Sequence, residues 1–275
     1  MYSLSASIVL YNNPLAMLKK VIKSVLDTSL NITLYLIDNS PIDTFKTLAA
    51  LDTRITYIHN PSNLGYGAAH NIAIAKSIES GINYHLVLNP DVYFENGVLE
   101  KVMTYMDANL DVGLLMPKVL YPNGDIQYIA KLLPTPWDLF ARRFIPIKSY
   151  LEKINRRYSL IFFDYSSTVQ IPFVSGCFMF LRTDTLKQVG IFDENYFMYL
   201  EDADLSRRIG TVSKTILYPH VHIYHEYERG AHKNFRLLWI FICSTFTYFN
   251  KYGWFFDSYR KKINRQALEQ LSWNE

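Results

Sequence analysis

The first candidate for chemistry is Asp91, which follows a short apolar run almost directly. The run Tyr84–Leu88 predicts a buried strand, and Asn89-Pro90 ends it because proline cannot donate a hydrogen bond to a sheet. In an open α/β sheet, ligands bind outside the carboxyl ends of the strands. A carboxylate there suits a divalent cation and the phosphates that it carries; the alternative is a residue that caps the next turn.

A second acidic group, Glu201-Asp202 with Asp204, opens a predicted helix after the aromatic stretch 196–199. Acidic side chains in a first helical turn commonly complement the helix dipole. Asp204 lies four residues before Arg208 and can pair with it on one helix face. Asp202 then faces elsewhere, so it is a candidate general base for a sugar hydroxyl.

Two further segments carry candidate binding residues. The segment 63–71, Asn-Leu-Gly-Tyr-Gly-Ala-Ala-His-Asn, lies between a predicted strand and a predicted helix, where glycines and backbone N–H groups suit anionic or polar ligands. Its spacing fits neither a Walker loop nor the Rossmann fingerprint. Farther along, His225 offers an imidazole, a common metal ligand, and Arg229 a guanidinium suited to phosphate. A single histidine of this kind is also commonly structural.

Alternating strands and helices would bring these residues together. Apolar runs predict strands at 5–11, 32–37, 54–59, 84–88 and 112–119. Apolar residues at helical spacing predict helices at 15–26, 44–51, 68–80 and 98–106. The first helix is expected to have Asn13 as its N-cap and Pro14 in its first turn. This alternation predicts a mostly parallel sheet with helices on both faces, which gathers the strand-end residues Asn12, Asp38 and Asp91 at one edge.

The second half of the chain is less regular. Strands are predicted at 171–182 and 216–218, and an aromatic helix at 235–249. The turn after the last strand is crowded by His220, His222, His225 and His232. Prolines interrupt segment 132–168, which is rich in Arg and Lys. This composition predicts either a mobile, partly helical insertion over the site or an ordinary exposed loop.

Composition excludes several classes of protein. The 275 residues are 49% hydrophobic and 19% charged, which is typical of a globular and not a disordered chain. Both cysteines lie in apolar runs, as buried thiols do, so nothing indicates an oxidising compartment. The longest uncharged apolar run, 237–249, is shorter than the roughly 20 residues of a membrane span. The first residues lack the features of a signal peptide, and we expect a cytoplasmic protein.

Charge is distributed unevenly along the chain. Residues 1–140 hold 9 Lys/Arg against 12 Asp/Glu, whereas residues 141–275 hold 19 against 13. No basic helix or RNA-type motif supports nucleic-acid binding. The basic half, with its aromatic stretch 235–256, better fits a phosphate-bearing substrate or an anionic membrane surface. Contact with such a surface would place the protein at the inner face of the cytoplasmic membrane. The alternative for the aromatic helix is packing into the core, which we expect for most of its rings.

Seven segments that span nearly the whole chain resemble, in the right order, the motifs of a known enzyme family. They are SIVLYNN, LIDNSPID, NLGYGAAHNIAI, LVLNPDV, FDENYFMYLEDADLSRR, HEYERGAHKN and STFTYFNKYG. The chain resembles family-2 inverting glycosyltransferases of the rhamnosyltransferase-like branch. The resemblance implies an α/β, Rossmann-like GT-A fold, with a mostly parallel sheet, helices on both faces and aromatic C-terminal helices.

The resemblance also implies which residues bind the donor. Asp38 would bind the nucleotide base, with Asn12 and Asn63 nearby. Gly65 would belong to the same donor-binding loop as Asn63, and Asn89 would also bind the donor. Arg229 or Lys233 would share the stabilisation of the leaving nucleoside diphosphate.

The metal site and the catalytic residues are implied in the same way. Asp91 would hold a Mg2+ or Mn2+ ion that bridges the donor diphosphate, and His225 would complete the site. Asn89 stands where the more familiar D-x-D motif has its first Asp, so one fewer charge holds the metal. Asp202 would deprotonate the acceptor hydroxyl, and Glu201 would position the acceptor or the donor sugar.

These assignments suggest a division of the chain. Residues 1–120 would form a nucleotide-sugar-binding half. Residues 121–233 would form the acceptor-binding and catalytic half of the same domain, including the insertion 132–168. Residues 234–275 would form a C-terminal aromatic and basic helical segment.

The implied reaction transfers L-rhamnose from dTDP-rhamnose to a bacterial surface-polysaccharide acceptor, such as an O-antigen or capsule glycan, linked to a lipid pyrophosphate. A UDP-galactose or UDP-glucose donor is the alternative, because nothing near Asp38 distinguishes thymine from uracil. A nucleotidyltransferase would need a basic glycine-rich loop after the first strand, which this sequence lacks. A non-catalytic nucleotide- or glycan-binding module is a further alternative, against which Asp91, Asp202 and His225 argue.

Overall fold

A single mixed sheet organises the chain, and the computed structural model describes residues 3–144, 148–226 and 235–273. Within these ranges the strands are β1 (Leu4–Leu10), β2 (Ile32–Asp38), β3 (Ile55–His59), β4 (Tyr84–Leu88), β5 (Val92–Tyr93), β6 (Val112–Leu120), β7 (Val169–Gln170), β8 (Phe178–Arg182) and β9 (Lys214–His225). The helices are α1 (Leu15–Leu26), α2 (Tyr66–Glu79), α3 (Val98–Ala108), α4 (Pro136–Phe144), α5 (Lys148–Tyr158), α6 (Thr183–Val189), α7 (Glu201–Ile209), α8 (Phe235–Tyr252) and α9 (Ser258–Gln270).

The first half of the sheet is parallel. The strands follow the order β3-β2-β1-β4-β8-β6-β9-β5, and β7 pairs with β9. Leu10 in β1 pairs with Asp38 in β2, and Ile8 pairs with Leu88 in β4. The carboxyl ends of these three strands therefore lie side by side, as alternating strands and helices predicted.

Beyond β4 the sheet is mixed. β8 lies antiparallel between β4 and β6, although the run 171–182 was predicted as one strand. Only the last five residues of that run, Phe178–Arg182, form β8. Pro172 cannot donate a backbone hydrogen bond to a neighbouring strand. The residues between Pro172 and β8 follow an irregular path, which brings Gly176 into the candidate site described below.

The histidine-rich segment is a strand and not the predicted turn. β9 is 12 residues long and includes His220, His222 and His225. Its parallel pairing with β6 has a register shift between Pro117 and Lys118. His232 lies outside the described residues.

Local predictions near the first helix were partly wrong. Pro14, not Asn13, is the N-cap residue of α1, and no side chain caps the helix. The Asn13 side chain instead accepts a hydrogen bond from Tyr11 N at 2.8 Å. The helix predicted at 44–51 is a short 3-10 helix, Lys46–Leu51. Of the two cysteines predicted to be buried, Cys177 is buried and Cys243 is exposed.

A buried polar cluster holds α2 against the sheet. The Ser7 hydroxyl lies 2.7 Å from His70 Nδ1 and 2.8 Å from His85 Nε2. On the other side of its ring, His85 Nδ1 lies 2.8 Å from the hydroxyl of Ser5 and 3.0 Å from that of Ser77. Burial lowers the pKa of His85 to about 3 and that of His70 well below its usual value, so both rings are neutral.

Helices follow the sheet in the second half of the chain. Segment 132–168, predicted to be a basic insertion, contains α4 and α5. The predicted aromatic helix is α8, in which Tyr248 and Phe249 are buried. Among the described residues, no helix combines the length and the apolar character that a membrane span requires.

Ion pairs join α7 to both C-terminal helices. Arg207 Nη2 donates to Asp257 Oδ1 at 2.8 Å, and both side chains are buried. Asp257 is also the N-cap of α9. Asp204, fully buried, accepts from Arg208 at 2.8 Å, as predicted, and from Lys251 of α8 at 2.7 Å. Helix α7 is therefore fixed by charges on α8 and at the start of α9.

Candidate active site

Asp91 lies at the tip of β4, where the sequence predicted it. The strand ends at Leu88, and Asn89-Pro90 turn the chain into β5. Val92 of β5 pairs with His225 at the end of β9. This pairing brings Asp91 Oδ1 to 3.3 Å from His225 Nε2. The two candidate metal ligands thus meet, although they come from distant parts of the chain.

The pair fits one part of a divalent-cation site. Asp91 Oδ1 is buried and accepts no hydrogen bond from the described residues. Carboxylate oxygens suit Mg2+ and Mn2+, and neutral imidazole is a common metal ligand. Within the described ranges, no three His, Cys, Asp or Glu side chains cluster closely enough to hold a metal by themselves. A cation bound by this pair would therefore need ligands from outside the described residues, such as the oxygens of a phosphate-bearing substrate or of water.

Asp202 projects from the first turn of α7. The two residues before the helix, Tyr199 and Leu200, have left-handed backbone angles, φ +73° and +67°. Such angles are uncommon for residues with side chains and occur where surrounding structure imposes them, often at functional sites. Asp202 Oδ2 accepts from Gly176 N at 2.9 Å, which ties the helix to the irregular path before β8. Its other oxygen, Oδ1, accepts from Ala203 N at 2.9 Å.

The neighbouring carboxyl groups of Glu201 and Asp202 differ in ionisation. Burial, with the nearby Asp202 charge, raises the pKa of Glu201 well above its usual value. Burial also raises the pKa of Asp202, but the N–H of Gly176 and the positive charge of Lys131 oppose the rise. Glu201 Oε2 is buried and has no hydrogen-bond partner among the described residues. Burial and mutual repulsion therefore disfavour ionisation of both groups at once, and the contacts that oppose the rise at Asp202 make its carboxyl group the one that ionises more readily.

Tyr66 links the separate parts of the site, and sequence analysis did not single it out. Its hydroxyl donates to Gly176 O at 2.6 Å and lies 3.0 Å from Asn89 Oδ1. Burial, and then the charges of Glu201, Cys177, Asp202 and Asp91, raise its pKa well above 10. The carboxyl groups of Asp91, Glu201 and Asp202 therefore all lie near the ring of Tyr66. In the sequence, the position of Tyr66 between Gly65 and Gly67 could have indicated its role.

The glycine loop packs against the residues that lead into α7. Gly65 has φ +87°, and a Cβ at this position would lie 2.2 Å from Phe197 O. The same oxygen accepts from Tyr66 N at 2.8 Å. Asn63 Oδ1 accepts from Gly65 N at 2.9 Å and from Asn39 Nδ2 at 3.2 Å. Asn63 and Gly65 thus shape the loop itself.

Asp38 lies at the neighbouring strand end and is fully buried. Its Oδ1 accepts from Ser40 N at 2.9 Å and its Oδ2 from the Tyr57 hydroxyl at 2.6 Å. The Ser40 hydroxyl in turn accepts from Asn12 N at 2.9 Å. Asn12 is exposed and has a left-handed backbone, φ +53°. The sequence did not indicate Tyr57, because its partner lies on another strand.

The remaining predicted residue, Arg229, lies outside the described residues. The structure brings the others together in three groups that share one edge of the sheet. Asp38 and Asn12 meet through Ser40. Asn89, Tyr66 and the carboxyl groups of α7 form the second group, and Asp91 with His225 forms the third.

The family of the chain follows from its match to known sequences. The model of the family described as glycosyl transferase family 2 matches residues 5–190, which is more than half of the chain. The chain belongs to glycosyl transferase family 2. The predicted family is confirmed. In this family-2 protein, the match does not extend to Glu201, Asp202 and His225, whose roles stay predictions.

Two curated relatives share the rhamnosyltransferase description. The chain is 26% identical over 211 residues to the N-acetylglucosaminyl-diphospho-decaprenol L-rhamnosyltransferase of Mycobacterium tuberculosis, covering 67% of this chain and 63% of that protein. It is 26% identical over 178 residues to rhamnosyltransferase WbbL of Escherichia coli K12, covering 62% of each. The aligned regions span less than two thirds of these relatives. They support the rhamnosyltransferase-like branch of the family.

Two solved structures share the fold of this family-2 chain. GalNAc-T7, crystallised with UDP, GalNAc and Mn2+, has a TM-score of 0.65 at 14% identity, over 98% of this chain and 57% of that one. TarS of Staphylococcus aureus has a TM-score of 0.57 at 15% identity, over 82% of this chain and 37% of that one. At such low identity the likeness concerns the fold alone, and it confirms the predicted GT-A type.

Proposed function

We propose that this protein transfers a sugar, with inversion, from a nucleotide diphospho-sugar to a glycan hydroxyl. One observation carries the proposal: Asp202 accepts from Gly176 N, and the carbonyl oxygen of Gly176 accepts from the Tyr66 hydroxyl, which lies 3.0 Å from Asn89 Oδ1 in the motif of Asp91. A carboxylate placed in this way suits a general base. Inversion is what the resemblance to inverting family-2 enzymes implies.

In the proposed reaction, Asp202 accepts the proton of the acceptor hydroxyl. The hydroxyl oxygen then attacks the anomeric carbon as the bond to the leaving diphosphate breaks, which inverts the configuration. Glu201, as a neutral acid, donates a hydrogen bond to a hydroxyl of the bound sugar. The N–H of Gly176 keeps one oxygen of Asp202 oriented.

Asp91 and His225 would hold a Mg2+ or Mn2+ ion, supported by their 3.3 Å approach and by the Mn2+ in the GalNAc-T7 structure. When bound, the ion offsets the negative charge that develops on the leaving diphosphate. Arg229, outside the described residues, is proposed to share that role.

The proposed donor site extends along the strand ends from Asn89. Asn63 and Gly65 shape the loop that covers it, and Asp38 with Asn12 receives the base. The favoured donor is dTDP-rhamnose, from which L-rhamnose is transferred, because both curated relatives are described as rhamnosyltransferases. UDP-galactose or UDP-glucose is the alternative.

A thermal-shift screen with UDP, dTDP, GDP and CDP, with and without Mn2+, tests this site. A ligand that binds only the folded protein raises the melting temperature with its occupancy. We expect a Mn2+-dependent rise with dTDP that exceeds the rise with UDP. A larger rise with UDP would favour the alternative donor. No rise with any nucleotide would favour a non-catalytic module of the same fold.

We further propose that the glycan acceptor is linked to a lipid pyrophosphate and that the protein contacts the membrane surface. Helix α8 exposes Phe235, Trp239 and Phe246 at spacings of four and seven residues, which is one face of a helix. The loop that follows exposes Phe255 and Phe256, 80% and 96% accessible. Aromatic side chains in such a row suit the interface of a bilayer.

Vesicle co-sedimentation tests the membrane contact. We expect binding to vesicles with anionic phosphatidylglycerol and less binding to neutral phosphatidylcholine, because the second half of the chain is basic. The variant Trp239→Ser/Phe255→Ser/Phe256→Ser should lose binding. Leu110→Ser, which changes an exposed apolar residue elsewhere, is the control. Absence of the wild-type protein from the anionic vesicle pellet would contradict membrane contact.

A further inference from the structure

Gln127 is a buried amide beside the proposed metal site. After β6 the chain turns at 121–125 and runs back, so that Gln127 N donates to Val119 O at 2.9 Å. The Gln127 side chain is buried, with 3% of the residue exposed. This return segment carries it to the end of β9, next to His225.

Both polar atoms of the Gln127 side chain contact His225. Nε2 donates to His225 O at 2.6 Å, and Oε1 lies 3.0 Å from His225 Nδ1. A backbone carbonyl oxygen only accepts hydrogen bonds, so the amide nitrogen must face it. The amide oxygen must then face the ring, and Nδ1 must carry the hydrogen that this oxygen accepts.

This hydrogen bond determines which nitrogen of His225 can bind a metal. A neutral imidazole carries one N–H, so a proton on Nδ1 leaves a lone pair on Nε2. Nε2 is the atom that lies 3.3 Å from Asp91 Oδ1. A lone pair and a carboxylate oxygen repel each other unless a cation lies between them or the ring gains a second proton.

We propose that Gln127 is a positioning residue that holds His225 in the tautomer and orientation in which Nε2 binds the divalent cation. This inference rests on the proposed function, in which Asp91 and His225 hold the ion. Gln127 acts through His225 and has no contact with the metal. Partners of this kind to metal-binding histidines typically change metal affinity by about 10- to 100-fold.

The test is the affinity for Mn2+ alone, measured from the electron paramagnetic resonance signal of free Mn2+. Gln127→Leu removes both contacts and is expected to weaken Mn2+ binding by about 10- to 100-fold. Gln127→Glu keeps an oxygen to accept from Nδ1 but loses the donor to His225 O, and it is expected to bind Mn2+ more tightly than Gln127→Leu. Equal losses in both variants would overturn the proposal.

A matched control separates positioning from general packing. Asn264 is also a buried amide that bonds two backbone groups, Leu133 N and Leu133 O, both at 2.8 Å. Asn264→Leu should destabilise the fold without changing Mn2+ affinity. A loss in Asn264→Leu as large as that in Gln127→Leu would overturn the proposal. If Gln127→Leu does not fold, the position of the proton on wild-type His225 decides the question instead.

The tautomer itself is a second readout. In 15N NMR spectra recorded without metal, the neutral imidazole of His225 should carry its proton on Nδ1. Gln127→Leu should lose this preference. A wild-type spectrum with the proton on Nε2 would overturn the proposal.

Failure of the proposed function has a different signature. If Mn2+ binding is lost in Asp91→Ala but unchanged in Gln127→Leu, the metal site stands and the role of Gln127 is refuted. If wild type and Asp91→Ala bind Mn2+ equally weakly, the metal site and the inference both fail.

Discussion

His225 Nε2 lies 3.3 Å from Asp91 Oδ1, and the two side chains come from the ends of different strands. The contact depends on the two-residue strand β5, in which Val92 pairs with His225. The backbone reinforces it, because Glu226 N donates to Asp91 O at 2.9 Å. The proposed metal site is therefore built into the sheet.

Asp91→Ala should weaken Mn2+ and nucleoside diphosphate binding together, because one ligand charge is lost. We expect a loss of at least about tenfold, equivalent to ~1.4 kcal/mol. Isothermal titration with dTDP or UDP, with and without Mn2+, measures both. Nucleotide affinity that depends on Mn2+ as strongly as in the wild type would rule out this role for Asp91.

Asp202→Asn should abolish transfer and leave donor binding largely intact. The amide has the size of the carboxylate and keeps an oxygen for the N–H of Gly176, but it cannot take up a proton. Loss of a general base typically lowers the rate by about 10²- to 10⁴-fold. Single-turnover transfer and donor titration separate the two effects. A loss of donor affinity that matched the loss of rate would refute the assignment.

Glu201→Gln should stabilise the protein increasingly as pH rises. Above the usual glutamate pKa of 4.5, the unfolded chain loses a proton that folded Glu201 keeps, because burial raises its pKa in the folded state. The folded state then binds more protons, so wild-type stability falls with pH until Glu201 ionises. Glutamine has no such loss, and its advantage should grow by up to about 1.4 kcal/mol per pH unit.

Urea unfolding between about pH 5 and 8 measures this difference. Glu269→Gln is the control, because the Glu269 side chain is 67% exposed in α9. A constant difference for Glu201→Gln would contradict the raised pKa.

Gly65→Ala should be more destabilising than Gly81→Ala. Both glycines have positive φ, +87° and +68°, so alanine adds backbone strain of at least about 1 kcal/mol in each. The strain is larger at Gly65, because its ψ of −172° places it in a region that is essentially restricted to glycine. Only at Gly65 does the added Cβ clash, 2.2 Å from Phe197 O, whereas Gly81 has nothing within 4 Å. Unfolding and nucleotide binding should both be affected at Gly65. Equal stability of the two variants would contradict the tight loop contact.

The parts of the site that follow strand ends were predictable from sequence. Asn12, Asp38 and Asp91 follow apolar runs, and parallel strands place such ends at one edge. The pairing of Asp204 with Arg208 was predictable from helical spacing alone. Both predictions depend on local patterns, which a single sequence shows directly.

The supporting contacts were not predictable, because they join distant segments. Gln127 follows an ordinary turn, and nothing near it in sequence indicates His225. The irregular path through Gly176 was hidden in an apolar run that resembled one strand. Asn13 was expected to cap α1, but its side chain bonds back to Tyr11 N. In each case a tertiary or competing local contact decided the outcome.

The ion pairs between α7 and the C-terminal helices limit how the chain can be shortened. A chain that stopped before α8 would leave Asp204 without Lys251 and Arg207 without Asp257. Breaking a buried ion pair by removing one partner typically costs about 3 to 5 kcal/mol, a large share of a domain's total stability. The C-terminal helices are therefore not a detachable appendage. We expect the smallest independently folding piece of this family-2 chain to extend through α9.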